Sequence, residues 1–136
     1  MVKVIMGLKG SGKTKKLIEL VKEADANEHG NVVCIEKEPQ LTYDIPYSVR
    51  LVAASDYSLE NYDALKGFIS GMHAGNYDIT HIFIDNLFKM IGRDYDADAE
   101  QFIEWCVRFS QKEQVNFTMT LSADESLASE KIKSLF

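Results

Sequence analysis

The sequence predicts a three-layer α/β/α protein built on a mainly parallel five-stranded sheet. Five short apolar runs, rich in β-branched or aromatic residues, alternate with segments whose apolar residues recur at helical spacing. That alternation is typical of an α/β layer fold. The run Val32–Ile35 is apolar at every position, which favours a strand covered on both faces. The length of 136 residues suits one domain with a complete core, so we predict a single domain over residues 1–136.

The elements follow in a regular order. The first strand is predicted at 2–6 and is followed by a helix in which Leu17, Ile18, Leu20, Val21 and Ala24 share helical spacing. Further strands are predicted at about 31–36, 49–54, 80–85 and 116–121. Further helices are predicted at about 59–74, 97–114 and 125–135. The segment 37–48 contains Pro39 and Pro46, so either one helical turn or an irregular loop is expected there.

Composition excludes several classes of function. The net charge of −6 and only three arginines argue against a broad nucleic-acid surface, which needs clustered cationic side chains. No apolar stretch approaches the ~20 residues of a membrane span, and the chain enters a strand directly without a secretory signal. We therefore expect a cytoplasmic protein. Cys34 and Cys106 stand in apolar segments and are predicted to be buried thiols.

The strongest motif is the octapeptide Gly7–Thr14, GLKGSGKT, between the first strand and the first helix. It fits Gly-x-x-x-x-Gly-Lys-Ser/Thr, the P-loop or Walker A pattern. Amide groups of such a loop converge on phosphate oxygens at a helix N-terminus, whose dipole favours negative charge. Lys13 is expected to reach the β- and γ-phosphates. The predicted nucleotide-binding residues are Gly7, Leu8, Lys9, Gly10, Ser11, Gly12, Lys13, Thr14 and Lys15.

A second motif lies at the end of the fourth strand, where ITHIFID finishes in Asp85. An acid at the end of a buried strand is the Walker B pattern, and open α/β sheets bind ligands at that edge. We therefore predict that Thr14 and Asp85 hold Mg²⁺. The next residue is Asn86, which cannot act as a base. The expected source of a catalytic carboxylate is Glu36-Lys37-Glu38, at the end of the second strand.

These motifs resemble the nucleotide-binding core of RecA-type ATPases over residues 1 to about 122. The stretch Val32–Leu41 is similar to the family's acidic strand end, and Glu38 falls at the position of the catalytic glutamate. The resemblance implies a RecA-like P-loop NTPase with sheet order 5-1-4-3-2 and adjacent Walker strands. It also implies a homo-oligomer with nucleotide near a subunit interface.

The chain also departs from that family. The strand 116–121 lacks an evident glutamine to sense the γ-phosphate, and Thr120 or Ser122 is the available substitute. The DNA-binding loops and extra domains of the recombinases are absent. Met6–Thr14 is also similar to the loop of thymidine kinases, but two isolated cysteines cannot supply that family's zinc-binding quartet.

The sequence therefore predicts a cytoplasmic, Mg²⁺-dependent ATPase that is slow without a partner arginine. Lys13 and Glu38 are the predicted catalytic residues. One alternative is a nucleotide-dependent switch that hardly hydrolyses ATP, which Asn86 favours. Another is a small-molecule kinase of nucleoside type, with an acceptor near Tyr43, Tyr47 and Tyr57.

Three further questions stay open in the sequence. No Asn-Lys-x-Asp motif for guanine is present, which favours ATP over GTP. Tyr43 is a candidate for stacking on adenine. Arg93 is either an arginine finger towards a neighbouring subunit or a solvated loop arginine.

Overall fold

A computed structural model describes residues 1–136 and shows one sheet of five parallel strands. The strands are β1 (Val2–Gly7), β2 (Asn31–Glu36), β3 (Arg50–Ala53), β4 (Ile79–Ile84) and β5 (Asn116–Ser122). All four neighbouring pairs are parallel. The predicted α/β class and the five strands are confirmed.

The helices are α1 (Lys13–Asn27), α2 (Tyr62–Gly75), α3 (Leu87–Ile91), α4 (Ala97–Glu113) and α5 (Glu130–Lys133), with 3-10 turns at Ala54–Tyr57 and Glu125–Leu127. The prediction of one last helix over 125–135 was wrong. Ser129 is extended and accepts a hydrogen bond from Ile132 N at 3.4 Å, so it caps a new, shorter helix there. Segment 37–48 forms turns and no helix.

The predicted strand order, 5-1-4-3-2, was also wrong, since the observed order is β1-β5-β4-β2-β3. The two Walker strands, β1 and β4, are separated by β5. Burial gives the physical reason. All residues from Phe117 to Leu121 are buried, so β5 needs neighbours on both sides, whereas β1 alternates between buried and half-buried and suits an edge. At the other edge lies β3, which is short and begins at the exposed Arg50.

Helices cover both faces of the sheet and make three layers. On one face α1 packs with Leu17 and Val21 against Cys34 and Phe83. The other face carries the larger core, to which α2, α3, α4 and α5 all contribute buried side chains. Cys34 and Cys106 are free and buried, as predicted, and burial raises the pKa of both thiols. None of the helices combines the length and the apolarity needed to cross a membrane.

Alternation along the strands places polar side chains on the α1 face of the sheet. Side chains of a strand alternate between its two faces. The α1 face therefore carries His81 and Phe83 of β4 and also Asp85, which directly follows β4. Thr118 and Thr120 of β5 contact His81 and Asp85 respectively, so they lie on the same face. The carboxyl end of the sheet therefore presents polar groups to the N-terminus of α1.

His81 lies towards the amino end of β4, on the α1 face of the sheet, and contacts Glu28, Thr118 and Phe83. Its Nδ1 lies 2.7 Å from Glu28 Oε2 and its Nε2 lies 2.9 Å from Thr118 Oγ1, and its ring stacks on Phe83 at 4.1 Å. Burial lowers the pKa of His81, although the Glu28 carboxylate acts in the opposite direction. The folded protein therefore favours the neutral imidazole, which donates to Glu28 and accepts from Thr118.

This arrangement predicts a loss of stability in mild acid. A histidine whose pKa is lowered by folding binds its proton more readily in the unfolded chain, so its contribution is complete above about pH 6.5 and is lost as the pH falls below it. The slope from one such group is at most about 1.4 kcal/mol per pH unit. Urea unfolding at pH 7.5 and 5.5 measures it.

The comparison needs two variants. In His81→Gln, the fall in the free energy of unfolding between the two pH values should be smaller than in the wild type. His29→Gln, which replaces an exposed histidine in the same way, is the matched control. An equal pH dependence in His81→Gln and wild type would show that His81 titrates as it does in the unfolded chain.

Candidate functional site

The glycine-rich loop joins the end of β1 to the start of α1. Gly10 and Gly12 have φ of 85° and 88°, in the left-handed region that side chains disfavour, and Gly12 is the N-cap of α1. Ser11 N donates to Leu8 O at 3.2 Å and closes the turn. The backbone thus curls at the N-terminus of a 15-residue helix, and successive amide groups in such turns form concave sites for anions.

Lys13 folds back over this loop. Its ammonium group donates to Leu8 O at 2.9 Å and to Ser11 Oγ at 3.4 Å, so its charge lies at the glycine-rich turn. Leu8 is 61% exposed, and Lys9 and Lys15 are also exposed. The predicted nucleotide-binding residues form one continuous, largely accessible segment, and the Lys13 side chain folds back over it.

Thr14 and Asp85, the predicted metal ligands, are brought together from positions 71 residues apart. Thr14 Oγ1 lies 3.3 Å from both carboxylate oxygens of Asp85. Asp85 follows β4 directly, and its backbone N donates to Ile35 O at 2.9 Å, which continues the pairing with β2. The first turn of α1 and the end of β4 therefore share one polar contact.

Thr120 holds the Asp85 carboxylate from the side of β5. Its hydroxyl donates to Asp85 Oδ1 at 2.9 Å and accepts from Asn86 N at 2.7 Å, and the residue is 1% exposed. The sequence suggests Thr120 only as a substitute for the γ-phosphate sensor. Its hydrogen bond also holds the Asp85 carboxylate next to Thr14. The available signal was the alternation of Thr118 and Thr120 with apolar residues in β5.

Asn86 takes a conformation that few non-glycine residues adopt. Its φ is 57°, and it is the N-cap of α3. Its Oδ1 accepts a hydrogen bond from Ser122 Oγ at 3.3 Å. The position directly after Asp85 therefore supplies an amide and no carboxylate.

The acidic end of β2 divides into a buried and an exposed glutamate. Glu36 is 4% exposed, and its carboxylate accepts from Gln40 N at 2.9 Å and Leu41 N at 3.3 Å. Burial raises the pKa of Glu36, the nearby Asp85 charge adds to the rise, and the two backbone hydrogen bonds oppose it. Glu38 is exposed two residues further along the same turn. Glu36 anchors the turn that carries Glu38, a role that sequence reasoning missed.

Three other predicted residues are placed outside this polar cluster. Tyr43 and Tyr47 are fully exposed on the loop after β2, whereas Tyr57 packs against Phe68 of α2 with ring centroids 5.4 Å apart. That loop buries its apolar residues with α1, while Phe68 packs on the opposite core. The structure does not bring the three tyrosines into one acceptor pocket.

Arg93 is held within its own loop. Its guanidinium pairs with Asp96 and Asp98, the latter at 2.7 Å. These hydrogen bonds raise the pKa of Arg93. An arginine that reached a neighbouring subunit would have to break both pairs.

A surface cavity of about 700 Å³ lies between β2, β3 and α2. It is distant in the fold from the glycine-rich loop, and no residue from Gly7 to Thr14 lines it. Phosphate recognition by a glycine-rich loop uses backbone amides at an open helix end, so the size of this cavity does not identify the site.

One comparison with known proteins finds a similar fold. No protein-family model matches the sequence, and no curated protein sequence matches it. Among solved structures, the chain is similar to the flagellar accessory protein FlaH from Methanocaldococcus jannaschii, with a TM-score of 0.60 and 13% sequence identity. The match covers 98% of this chain and 65% of the FlaH chain, so this chain spans about two thirds of that protein. The similarity shows that the two chains share an α/β fold.

The contacts of Thr120 lead to a prediction about stability. Thr120→Val keeps the shape of the side chain but removes the donor to Asp85 and leaves Asn86 N without its acceptor. A buried polar group that loses its partner costs about 1–3 kcal/mol. The free energy of unfolding from urea titration should fall by that amount. Thr42→Val, at an exposed loop position, should change it by less than about 0.5 kcal/mol. Equal stabilities of the two variants would contradict the role given to Thr120.

Proposed function

We propose that this chain binds Mg·ATP at the glycine-rich loop and hydrolyses it slowly. The observation that carries the proposal is the meeting of three features at one edge of the sheet. The loop has left-handed glycines at the N-terminus of α1, Lys13 lies over the turn, and the Thr14 hydroxyl lies 3.3 Å from the Asp85 carboxylate. Backbone amides, a lysine and a hydroxyl–carboxylate pair are the groups that this chemistry needs.

The donor set at Thr14 and Asp85 fits Mg²⁺. Magnesium prefers oxygen ligands and is commonly bound through one or two protein oxygens together with substrate phosphates and water. No group of three or more His, Cys, Asp or Glu side chains converges in the structure, so phosphates and water would complete the coordination. When bound, the ion would neutralise charge on the β- and γ-phosphates.

Each residue then has a distinct task. The loop amides hold the phosphate oxygens, and Lys13 leaves Leu8 O to neutralise the β- and γ-phosphates. Glu38 orients the attacking water, while Glu36 keeps the turn that carries Glu38 in place. Phosphoryl transfer depends mainly on positioning and charge stabilisation, which these groups can supply. The rate is low because Arg93 is already paired with two aspartates.

A nucleotide-dependent switch with little turnover is the second candidate. The observation that favours it is Asn86, whose amide occupies the position after Asp85 and accepts from Ser122. Because Asn86 N also donates to Thr120, the start of α3 is coupled through two side chains to the metal-binding edge. The two candidate functions use the same nucleotide-binding site and differ only in the rate of ATP hydrolysis.

Nucleotide binding is tested by calorimetry with Mg·ATP. Lys13→Met removes the ammonium but keeps the length of the side chain, and a charge-assisted hydrogen bond contributes about 1.5–3 kcal/mol, so affinity should fall roughly 10- to 150-fold. Lys22→Met changes an exposed lysine on α1 and should bind as the wild type does. Wild-type affinity in Lys13→Met, or no binding by the wild type, would refute the proposed site.

The metal pair is tested in the same titrations. Asp85→Asn removes the carboxylate charge but can still accept hydrogen bonds from Thr14 and Thr120. We expect it to abolish the dependence of ATP affinity on Mg²⁺ while leaving some binding to the loop amides. A variant that keeps the full Mg²⁺ dependence would exclude Asp85 as a ligand.

The assignment of the base is tested by phosphate release over hours. Glu38→Gln should reduce the rate roughly 100-fold, the low end of the range for acid–base groups, with ATP affinity unchanged. Glu36→Gln should keep most of the rate but lower the free energy of unfolding, because it weakens the hydrogen bonds to Gln40 N and Leu41 N. Full activity in Glu38→Gln contradicts its role as the base, and no release by the wild type selects the switch.

A further inference from the structure

A polar cleft of about 430 Å³ lies beside the glycine-rich loop, on the side of α3. We call it the α3 cleft; the residues that matter for its chemistry are Lys9, Asn86, Lys89, Arg93, Asp94 and Ser122. Lys9 belongs to the loop itself, and Asn86 directly follows Asp85. Gly7 O accepts from Ala123 N at 3.1 Å, which fixes the start of the loop against the end of β5. The cleft therefore opens at the same edge of the sheet as the proposed phosphate site.

The α3 cleft is lined by two lysines that form no ion pair within the chain. Lys9 and Lys89 are exposed, and neither takes part in any of the ion pairs. Arg93 is already paired with Asp96 and Asp98, so it adds little, and Asp94 is the one acid in the lining. Two uncommitted ammonium groups at one cleft stand out in a chain with a net charge of −6.

Neutral donors complete the lining. Ser122 Oγ donates to Asn86 Oδ1 at 3.3 Å, which directs the amide oxygen of Asn86 towards Ser122 and leaves its NH₂ group as a donor. Only one of the eight lining residues is hydrophobic, so the cleft offers little for an apolar ligand. Ammonium groups and an amide donor together suit the oxygens of a phosphate.

We propose that the α3 cleft binds the phosphate group of a second ligand, next to the nucleotide. The description of this phosphate as a second ligand rests on the proposed binding of nucleotide at the glycine-rich loop. The affinity of the α3 cleft for phosphate does not depend on that proposal. Lys9 lies at the boundary of the two sites, so occupation of one should influence the other. The ligand is either inorganic phosphate or a small phosphate monoester, and both present the same dianionic group to Lys89.

The test follows amide signals of the ¹⁵N-labelled full chain by NMR while inorganic phosphate is added at constant ionic strength. The wild type is first saturated with Mg²⁺ and a non-hydrolysable ATP analogue, so that the loop is filled. Saturable shifts are then expected at Lys89, Gly92 and the Asn86 side chain. Lys89→Met should weaken this binding at least ~10-fold, as expected for a lost charged partner, whereas Lys22→Met should leave it unchanged.

A second series separates this proposal from that of the glycine-rich loop. Lys13→Met without nucleotide should still show the shifts at Lys89 and Gly92, even if the wild type fails to bind the ATP analogue. Phenyl phosphate replaces inorganic phosphate in a parallel titration, and tighter binding selects a monoester as the ligand. The proposal is overturned if the shifts do not saturate, if Lys89→Met leaves them unchanged, or if they are confined to residues 10–14 and vanish in Lys13→Met.

Discussion

The contact between Asp85 and its two hydroxyl partners joins the three elements on which the candidate site depends. Thr14 is the second residue of α1, Thr120 lies within β5, and Asp85 directly follows β4. Both hydroxyls lie within 3.3 Å of the carboxylate. Because β5 lies beside β4, the Thr120 hydroxyl reaches the Asp85 carboxylate, and the buried strand β5 suits this interior position in the sheet. Core packing thereby determines which polar groups meet at the carboxyl edge.

Much of this edge could be predicted from the sequence, since its signals are local. The glycine pattern specifies a turn that needs left-handed backbone, and Gly10 and Gly12 adopt it. Asp85 follows an apolar run, and its proximity to Thr14 follows from parallel strands whose carboxyl ends share one edge. The roles of Lys13, Thr14, Asp85 and Glu38 remain predictions, because fold similarity to FlaH at 13% identity carries no residue assignments.

The remaining features depend on long-range packing that no local pattern encodes. Strand order depends on how completely each strand is buried, and the resemblance to a known family correctly paired β1 with β5 but wrongly placed β1 beside β4. The helix α3 has only five residues, too few for a helical period to be visible in the sequence. The division between Glu36 and Glu38 depends on which carboxylate turns inward to accept from Gln40 N and Leu41 N. The α3 cleft likewise depends on the fold, which brings Lys9 and Lys89 to one lining from positions far apart in the sequence.

A crystal structure with Mg²⁺ and a non-hydrolysable ATP analogue tests the central claim most directly. The account predicts that the phosphates lie on the amides of residues 10–14 and that the Lys13 ammonium moves from Leu8 O, 2.9 Å away here, onto the β- and γ-phosphates. Thr14 and Asp85 should flank the metal ion. A nucleotide bound elsewhere, with Lys13 still on the Leu8 carbonyl and no metal between Thr14 and Asp85, would contradict it.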